Sequence, residues 1–253
     1  MVVAILQVRY SSTRLSGKVL LPILQKPMLL RQIERIKRSK CIDKLVIATS
    51  NDSTDDVIEQ LCKENGLESF RGSLHNVLDR FYHTANYYKT DHVVRLTGDC
   101  PLTDPEVIDQ VIAYYLNNRL DYVSNVLQPT FPDGLDVEVF SHIVLRQAWE
   151  QAQLPSEQEH VTPFIHTRPN LFKLGNVTYR RDLSGLRWTV DEKEDFEFVS
   201  AIYEELYHKN PVFTMHDILE LLENKPDLKD INAHFQRNEG YQKSLKQDRA
   251  KYV

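Results

Sequence analysis

The first hundred residues alternate between short apolar runs and amphipathic segments, and this alternation restricts the chain to a few folds. The runs at residues 2–8, 44–50 and 92–96 are apolar and rich in β-branched residues, as is typical of buried strands. Between them, residues 26–40 and 51–65 carry apolar side chains at helical spacing. Strands that alternate with helices predict a parallel sheet joined by right-handed crossovers.

The rest of the chain continues this pattern. We predict helices at 77–88, 104–115, 141–153 and 191–207, a loop at 71–73, and strands at 121–125, 135–140, 172–179 and 186–190. Asp136 and Glu138 alternate with apolar residues, which predicts a half-buried strand with its acids on one face. Asp79 and Arg80 are interpreted as an exposed ion pair on a helix.

One sheet domain accounts for most of this length. We assign residues 1–225 to it, with an excursion at about 130–180 that covers a substrate or forms a dimer contact. Residues 226–253 are strongly polar, which predicts either a surface helix or a partly disordered tail.

The segment after the first strand is rich in groups that bind phosphate. It offers cations, hydroxyls and a glycine with no intervening carboxylate, namely Arg9, Ser11, Ser12, Thr13, Arg14, Gly17 and Lys18. Cations neutralise phosphate charge, hydroxyls donate hydrogen bonds, and glycine lets the backbone come close. No GxxxxGK[ST] or GxGxxG motif is present. We predict a phosphate site in which Lys18 faces solvent; a solvated basic turn is the alternative.

Bulk composition excludes several classes of protein. A formal net charge of -5 argues against a general nucleic-acid binder. Three cysteines without a CxxC pair predict reduced thiols in a cytoplasmic protein. No run reaches the ~18 apolar residues that span a bilayer, and the first apolar run is too short for a signal peptide, so we expect no membrane segment.

Two aspartates follow predicted strands directly. Asp99 comes after the strand at 92–96, and Asp191 comes after the strand at 186–190. Each is either a turn or cap residue or a metal ligand at the ligand-binding edge of a sheet. His160 and His166 lie six residues apart, which does not match a helical zinc pair; substrate contact and packing both stay open for them.

Six segments then resemble one family, in the expected order along residues 1–205. They are QVRYSSTRLSGKVL, FRGS, VVRLTGDCPLTDP, PDGLDVEVF, EHVTP and WTVDEKEDF. They are similar to the cytidylyltransferases that make CMP-activated acidic sugars, and most to the branch of the spore coat polysaccharide protein SpsF. Val8 replaces a frequent Ala and Ser16 a usual Pro, and neither change removes a charged group. The resemblance implies a three-layer α/β/α, Rossmann-like nucleotidyltransferase fold with a mostly parallel mixed sheet.

The resemblance also implies a set of site residues. Arg9, Ser12, Arg14 and Lys18 would hold the CTP triphosphate, Arg71, Gly72, Ser73 and Arg80 would lie near the cytidine, and Asp99 and Asp191 would coordinate Mg²⁺. Lys18, Arg14, Asp99 and Asp191 would carry catalysis. We assign acceptor contact to Asp133, Asp136, Glu138, Glu159 and His160. The implied assembly is a homodimer.

The expected activity is transfer of CMP from CTP to an acidic sugar such as a nonulosonic acid, in surface polysaccharide synthesis. Charge neutralisation by Mg²⁺ and cationic side chains suits this reaction. The alternatives are a nucleotidyltransferase that uses another NTP, or a phosphorylated or amino-acid-like acceptor, and a non-catalytic nucleotide-binding module.

Overall fold

Seven strands form one mixed sheet at the centre of the molecule. In a computed structural model, which describes residues 1–12, 14–237 and 239–250, the strand order is β5-β4-β1-β6-β8-β7-β9. Strand β8 runs antiparallel to both of its neighbours, and the other ladders are parallel. The strands, with the small β2–β3 hairpin, are β1 Val2–Gln7, β2 Pro22–Ile23, β3 Lys26–Pro27, β4 Lys44–Ser50, β5 Glu68–Gly72, β6 His92–Thr97, β7 Tyr122–Ser124, β8 Glu138–Ser141 and β9 Leu174–Asn176.

Helices cover both faces of the sheet, which confirms the predicted three-layer fold. One core packs the sheet against α1, α2, α4, α8 and α9, and the second packs it against α3, α5 and α7. The helices are α1 Met28–Ile36, α2 Asp56–Glu64, α3 Val77–Tyr87, α4 Pro105–Asn118, α5 His142–Gln151, α6 Pro155–His160, α7 Pro163–His166, α8 Lys193–Leu206, α9 Met215–Asn224 and α10 Glu239–Ala250. None of the described helices is both long enough and apolar enough to cross a membrane.

Strand β1 illustrates why the sequence folds this way. Ala4 and Leu6 point into one core, Val3 and Ile5 point into the other, and all four are fully buried. A strand covered on both faces needs a continuous apolar run, whereas a half-exposed strand alternates. The predicted strands at 2–8, 44–50 and 92–96 are therefore β1, β4 and β6.

Three of the predicted elements are wrong in the structure. Arg71 and Gly72 end strand β5 and are not in a loop. Residues 186–190 make a single bridge, Arg187 to Asp133, and do not form a strand of the sheet. Strand β8 begins only at Glu138, and that glutamate is 5% exposed, so its face of the strand is not open to solvent.

The excursion and the polar tail are both built into the domain. Strand β8 lies between β6 and β7, so this part of the excursion completes the sheet. In the tail, α10 packs along α6, and Asp248 accepts a hydrogen bond of 3.0 Å from the backbone N–H of Ser156. The last three residues of the predicted tail, 251–253, lie outside the described part of the chain.

The order of the strands reverses beside β1. The chain passes from β1 to β4 and β5 on one side, then crosses to β6 on the other. Open α/β sheets bind ligands outside the carboxyl ends of the strands at such a switch point. The connections that leave β1 and β6 there are residues 8–17 and 98–104, and antiparallel β8 begins at the same edge.

Candidate active site

The loop after β1 is folded back on itself and fixed to the next connection. Gly17 has φ +66° and donates from its backbone N–H to the carbonyl of Tyr10 over 3.0 Å. A Cβ at this glycine would lie 3.0 Å from the Tyr10 ring, so both the backbone angle and the space favour glycine. The N–H of Tyr10 donates to the buried Asp55 carboxylate over 2.6 Å, which ties the loop to the β4–α2 connection.

The Lys18 side chain lies between the two aspartates that follow predicted strands. Its Nζ donates to Oδ1 of Asp191 over 2.9 Å and to Oδ2 of Asp99 over 3.4 Å. A third bond of 2.6 Å reaches the backbone oxygen of Val190. Lys18 is only 8% exposed, so the prediction of a solvent-facing lysine is wrong. The two carboxylates converge on one position, and an ammonium group occupies it.

These contacts change the acidity of both partners. Burial opposes ionisation of Asp99, but the Lys18 ammonium and the Thr97 hydroxyl outweigh it and lower the pKa of Asp99 to about 2. Burial also opposes the charge on Lys18, and the carboxylates of Asp99 and Asp191 outweigh it and raise the pKa of Lys18. Lys18 and Asp99 are therefore both charged at neutral pH.

The other predicted phosphate-binding residues surround this cluster. Arg14 Nη2 lies 2.8 Å from Oδ2 of Asp191, and its Nε lies 3.5 Å from Glu192. Ser12 Oγ accepts a long bond of 3.4 Å from the N–H of Leu15 within the loop. Arg9 is exposed at the start of the loop. Thr13 lies outside the described residues.

A buried ion pair that no sequence motif indicates holds the backbone of Asp191 in place. Arg187 Nε and Nη2 each lie 2.8 Å from the carboxylate of Asp195, which is fully buried. The same carboxylate accepts from the N–H groups of Asp191 and Glu192 over 2.9 Å each and caps α8. Asn232 donates to it as well, over 2.9 Å. No local sequence signal points to this pair, because Arg187 precedes the helix and Asp195 lies in its first turn.

Two further acids, connected to Asp191 through Arg187, pair with arginines. Arg187 Nη1 lies 3.6 Å from Asp133, and Arg237 Nη2 lies 2.6 Å from Asp136. Burial and the charge of Asp136 raise the pKa of Asp133 to about 7, and burial also raises the pKa of Asp136. Gly134 between them has φ +106°, and a Cβ there would lie 2.6 Å from the backbone of Trp188 and Thr189.

The remaining acceptor candidates divide into one structural residue and two near α10. Glu138 is buried, ion-paired with Arg95, and accepts from the hydroxyls of Tyr122 and Thr162 over 2.6 Å each. Both carboxylate oxygens of Glu138 therefore have partners within the chain, and we interpret Glu138 as a structural residue and not as an acceptor contact. His160 Nε2 lies 2.9 Å from the Ser244 hydroxyl of α10, which donates to Glu159 over 2.7 Å.

A strained turn follows His160 directly. The next residue, Val161, is fully buried with φ 71° and ψ -53°, and the N–H of Thr162 donates back to the carbonyl of His160 over 2.8 Å. This is the rare positive-φ γ-turn, and a β-branched residue there is a genuine outlier. Such strain concentrates at functional sites. Burial and the charges of Arg95 and Arg9 lower the pKa of His160.

The predicted cytidine-side residues have different surroundings. Arg71 is tied to α2 by ion pairs with Asp56 (2.6 Å) and Glu59 (3.0 Å). Arg80 is 2% exposed, which contradicts the exposed ion pair with Asp79. It donates to the carbonyl of Ser73 over 3.1 Å.

Close packing and electrostatics place Arg80 at the same edge as the loop. A Cβ on Gly72 would lie 2.9 Å from the Arg80 side chain. Burial lowers the pKa of Arg80 to about 10, with Asp55 opposing and Arg9 adding to the effect. Its Nε is buried without a hydrogen-bond partner among the described residues.

The donor set at Lys18 suits a hard divalent cation. Among the described residues, no group of three or more His, Cys, Asp or Glu side chains could hold a metal. Asp99 and Asp191 nevertheless aim carboxylate oxygens at one point, and Mg²⁺ in nucleotide sites takes one or two carboxylates with phosphate oxygens and water.

A mixed α/β/α sheet with a cationic loop and two converging aspartates at its switch point defines a nucleotidyltransferase. The family model described as cytidylyltransferase matches residues 3–246, and the chain belongs to this family.

The relatives and a solved structure agree with this assignment. The spore coat polysaccharide biosynthesis protein SpsF of Bacillus subtilis is 35% identical over 230 residues, 88% of this chain and 94% of that protein. An uncharacterized protein of Methanocaldococcus jannaschii is 38% identical over 92% of this chain and 95% of its own length. A cytidylyltransferase structure from Leptospira borgpetersenii has a TM-score of 0.87 and 33% identity, and covers 93% of this chain and 99% of that one.

One further relative matches less of the chain. The 3-deoxy-manno-octulosonate cytidylyltransferase of Trichlorobacter lovleyi is 34% identical over 117 residues, which is 46% of this chain and 46% of that protein.

Proposed function

We propose that this chain transfers CMP from CTP to an acidic sugar, with Mg²⁺ and with release of pyrophosphate, as a cytoplasmic step of surface polysaccharide synthesis. The carrying observation is the Lys18 ammonium between Asp99 and Asp191, directly beside the cationic loop. The cluster combines groups that neutralise a triphosphate with carboxylates that suit Mg²⁺.

The transfer needs positioning and charge neutralisation more than covalent catalysis. A hydroxyl oxygen of the acceptor bonds to the α-phosphorus of CTP, the bond from that phosphorus to the bridging oxygen of the β-phosphate breaks, and the hydroxyl proton leaves to solvent. Arg9, Arg14 and Lys18 hold phosphate oxygens and stabilise the charge that develops on pyrophosphate. When bound, Mg²⁺ would act as a Lewis acid on the phosphates, held by Asp99 and Asp191.

Arg80 is the better candidate for contact with the cytosine ring. Its Nε is buried and has no partner in the described part of the chain, whereas Arg71 is ion-paired with two carboxylates of α2. A cytosine carbonyl would supply the missing acceptor, since a buried donor without a partner costs about 1–3 kcal/mol. The alternative is an enzyme that uses another NTP, and the Arg80 contact would have to discriminate against the bases of the other NTPs.

The acceptor class rests on the relatives. Relatives named 3-deoxy-manno-octulosonate cytidylyltransferase match about half of this chain, which supports an acidic sugar but not its identity. A phosphorylated or amino-acid-like acceptor is the alternative among enzymes, and a nucleotide-binding module without activity is the alternative outside them.

A screen of acceptors with the four NTPs tests the proposal. Pyrophosphate release is measured with and without Mg²⁺, and mass spectrometry identifies CMP conjugates of 3-deoxy-manno-octulosonate and nonulosonic acids. We expect CTP and Mg²⁺ to be required. Tight CTP binding without pyrophosphate release from any acceptor would favour the non-catalytic module.

Isosteric variants test the metal assignment separately. Asp99→Asn and Asp191→Asn keep the shape and cap about as well as aspartate, but they lose the charge. We expect both to lower Tm, because each removes a carboxylate that pairs with the buried Lys18, and both to lose most turnover at a temperature where they are folded. The double variant should turn over hardly less than either, because groups that serve one centre are strongly non-additive. Near-normal turnover in either single variant would remove that residue from the metal site.

A further inference from the structure

A row of ion pairs connects Asp191 to the C-terminal segment. Arg187 Nη2 lies 3.5 Å from Asp191, and its Nη1 lies 3.6 Å from Asp133. Arg237 Nε lies 3.7 Å from the other oxygen of Asp133, and its Nη2 lies 2.6 Å from Asp136. Cations and carboxylates therefore alternate from Asp191 to Asp136, and the last cation belongs to the tail that the sequence placed outside the domain.

The geometry of the transfer reaction indicates which substrate would lie beside this row of ion pairs. Arg14 contacts Asp191 from the loop that would hold the triphosphate. An attacking oxygen approaches the α-phosphorus roughly in line with the leaving pyrophosphate, from the opposite side. Asp133 and, through it, Arg237 and Asp136 are connected to Asp191 by Arg187 and not by an ion pair with this loop among those described, and we place the acceptor beside them.

Arg237 is held more loosely than Arg187. Arg187 makes two contacts of 2.8 Å with the buried Asp195. Among the described residues, Arg237 makes one short contact, with Asp136, and its bond to the carbonyl of Phe131 is 3.4 Å long. The Asp136 side chain is 32% exposed, so the pair borders open space while Arg187 is fixed in the core.

The backbone around Arg237 is anchored on both sides. Arg187 Nη1 donates to the carbonyl of Gln236 over 3.1 Å. Further along, Ser244 in α10 contacts His160 and Glu159, at 2.9 and 2.7 Å. The chain on either side of Arg237 is thus held by contacts that do not involve Asp136.

We propose that Arg237 and Asp136 recognise the acceptor as a hydroxy acid, Arg237 by donating to its carboxylate and Asp136 by accepting from a hydroxyl. The inference rests on the proposed CMP transfer. A guanidinium binds carboxylate through two parallel N–H donors, and an ionised carboxylate is an acceptor only, so the pair is complementary to an acid that also carries hydroxyls. The C-terminal segment then supplies half of the acceptor specificity.

Calorimetry on the full chain tests the proposal without turnover. The protein is loaded with Mg²⁺ and α,β-methylene-CTP and titrated with 3-deoxy-manno-octulosonate or N-acetylneuraminate, and then with the methyl ester of each acid. Arg237→Gln is compared with the wild type, and Lys246→Gln is the control because Lys246 is exposed on α10. We expect one acid to bind the wild type and the control equally and Arg237→Gln about ten- to hundredfold more weakly. Affinity for the CTP analogue should not change.

The other outcomes are distinct. Equal affinity of an acid for the wild type and for Arg237→Gln would overturn the proposal, and so would an ester that binds as well as its acid. A wild type that binds the CTP analogue but neither acid would also overturn it, while leaving nucleotidyl transfer standing. A wild type that does not bind the CTP analogue would contradict the proposed function itself and the inference with it.

Discussion

At the scale of single residues, Lys18 is involved in two opposing effects. Its ammonium group neutralises Asp99 and Asp191, and this keeps the two carboxylates close together. The same position is the one that a divalent cation bound by both carboxylates would take. If Mg²⁺ binds there as proposed, lysine and metal would compete until a triphosphate gives the lysine another anionic partner.

Lys18→Ala should therefore have two measurable effects. Loss of a charge-assisted contact costs about 1.5–3 kcal/mol, so kcat/KM for CTP should fall roughly tenfold to a hundredfold. In the absence of nucleotide, Mn²⁺ should bind more tightly than in the wild type, because the competing cation is gone. Steady-state kinetics and a spectroscopic Mn²⁺ titration measure these effects.

The exposed Lys37, at the end of α1, provides the matched control. Lys37→Ala should leave both measurements unchanged. Unchanged kinetics in a folded Lys18→Ala protein would mean that the loop is only a basic turn. Unchanged Mn²⁺ affinity would contradict the competition.

Asp133 makes the stability of the protein depend on pH. Burial and the Asp136 charge raise its pKa from 3.8 to about 7. The folded state then binds more protons than the unfolded state between about pH 4 and 7, so this group lowers stability as pH rises through that window. Asp133→Asn removes the effect, and the variant should gain stability relative to the wild type between pH 4 and 7, measured by urea unfolding with EDTA present.

Asp182 is the control for this titration. It is exposed, and a hydrogen bond from Ser184 lowers its pKa. Asp182→Asn should not reproduce the trend, because a lowered pKa gives a contribution of the opposite sign. A constant stability difference between Asp133→Asn and the wild type over this pH range would contradict the raised pKa.

At the scale of elements, the turn at Gly134 joins two segments far apart in the chain. The N–H of Asp133 donates to Leu186 over 2.9 Å, and Trp188 donates back over 2.6 Å. A side chain at Gly134 would meet the backbone of Trp188 and Thr189 at 2.6 Å. The turn thus sets the positions of Asp133 and Asp136 relative to Asp191.

Gly134→Ala should destabilise the fold through both backbone strain and this clash. The positive φ alone costs about 1–3 kcal/mol for a residue with a Cβ. Gly185→Ala is the matched control, because nothing lies within 4 Å of its Cβ position, and it should change stability by less than about 1 kcal/mol. Equal unfolding midpoints for the two variants would show that the strain and the clash at Gly134 have little effect on the free energy of unfolding.

The same elements show what the sequence could predict. The strand at residues 44–50 was predicted to the residue, because a β-branched run between two turn signals has one good interpretation. Arg71 and Gly72 resemble a turn, yet pairing with β4 makes them the end of a strand. Residues 186–190 are apolar like a strand, but their hydrogen bonds go to the Asp133 turn and to Asp99. The local pattern of apolar and turn residues does not determine which other segment of the chain accepts or donates the backbone hydrogen bonds.

At the scale of the whole molecule, the candidate site also contains residues that the sequence indicates and residues that only the fold reveals. Lys18, Asp99 and Asp191 could be named because each carries a local signal, a basic loop or an apolar run that ends in an aspartate, and the structure brings them together although the run before Asp191 is not a strand. Arg187 and Arg237 were missed because their carboxylate partners lie far away in sequence or on another element. Ion pairs of this kind depend on the fold, so no motif reveals them.

A homodimer is predicted, and the structure favours a different interface from the one expected. The excursion at about 130–180 is the predicted dimer contact, but β8 within it is paired on both sides and α10 covers α6. The short edge strand β9 is the better candidate, because edge strands present unpaired backbone groups. Leu171, just before it, is 52% exposed, and the 41% exposed Tyr114 lies beside it at Gly175.

Sedimentation at micromolar concentration tests this assembly. We expect the wild type to be a dimer and Leu171→Asp to shift it toward monomer, because the interface would then bury an unpaired charge. Val212 is 57% exposed in the α8–α9 connection, and Val212→Asp should stay dimeric. A dimeric Leu171→Asp protein would exclude the β9 edge as the interface. A wild type that is monomeric and fully active would contradict the dimer itself, since the acceptor side would then be complete within one chain.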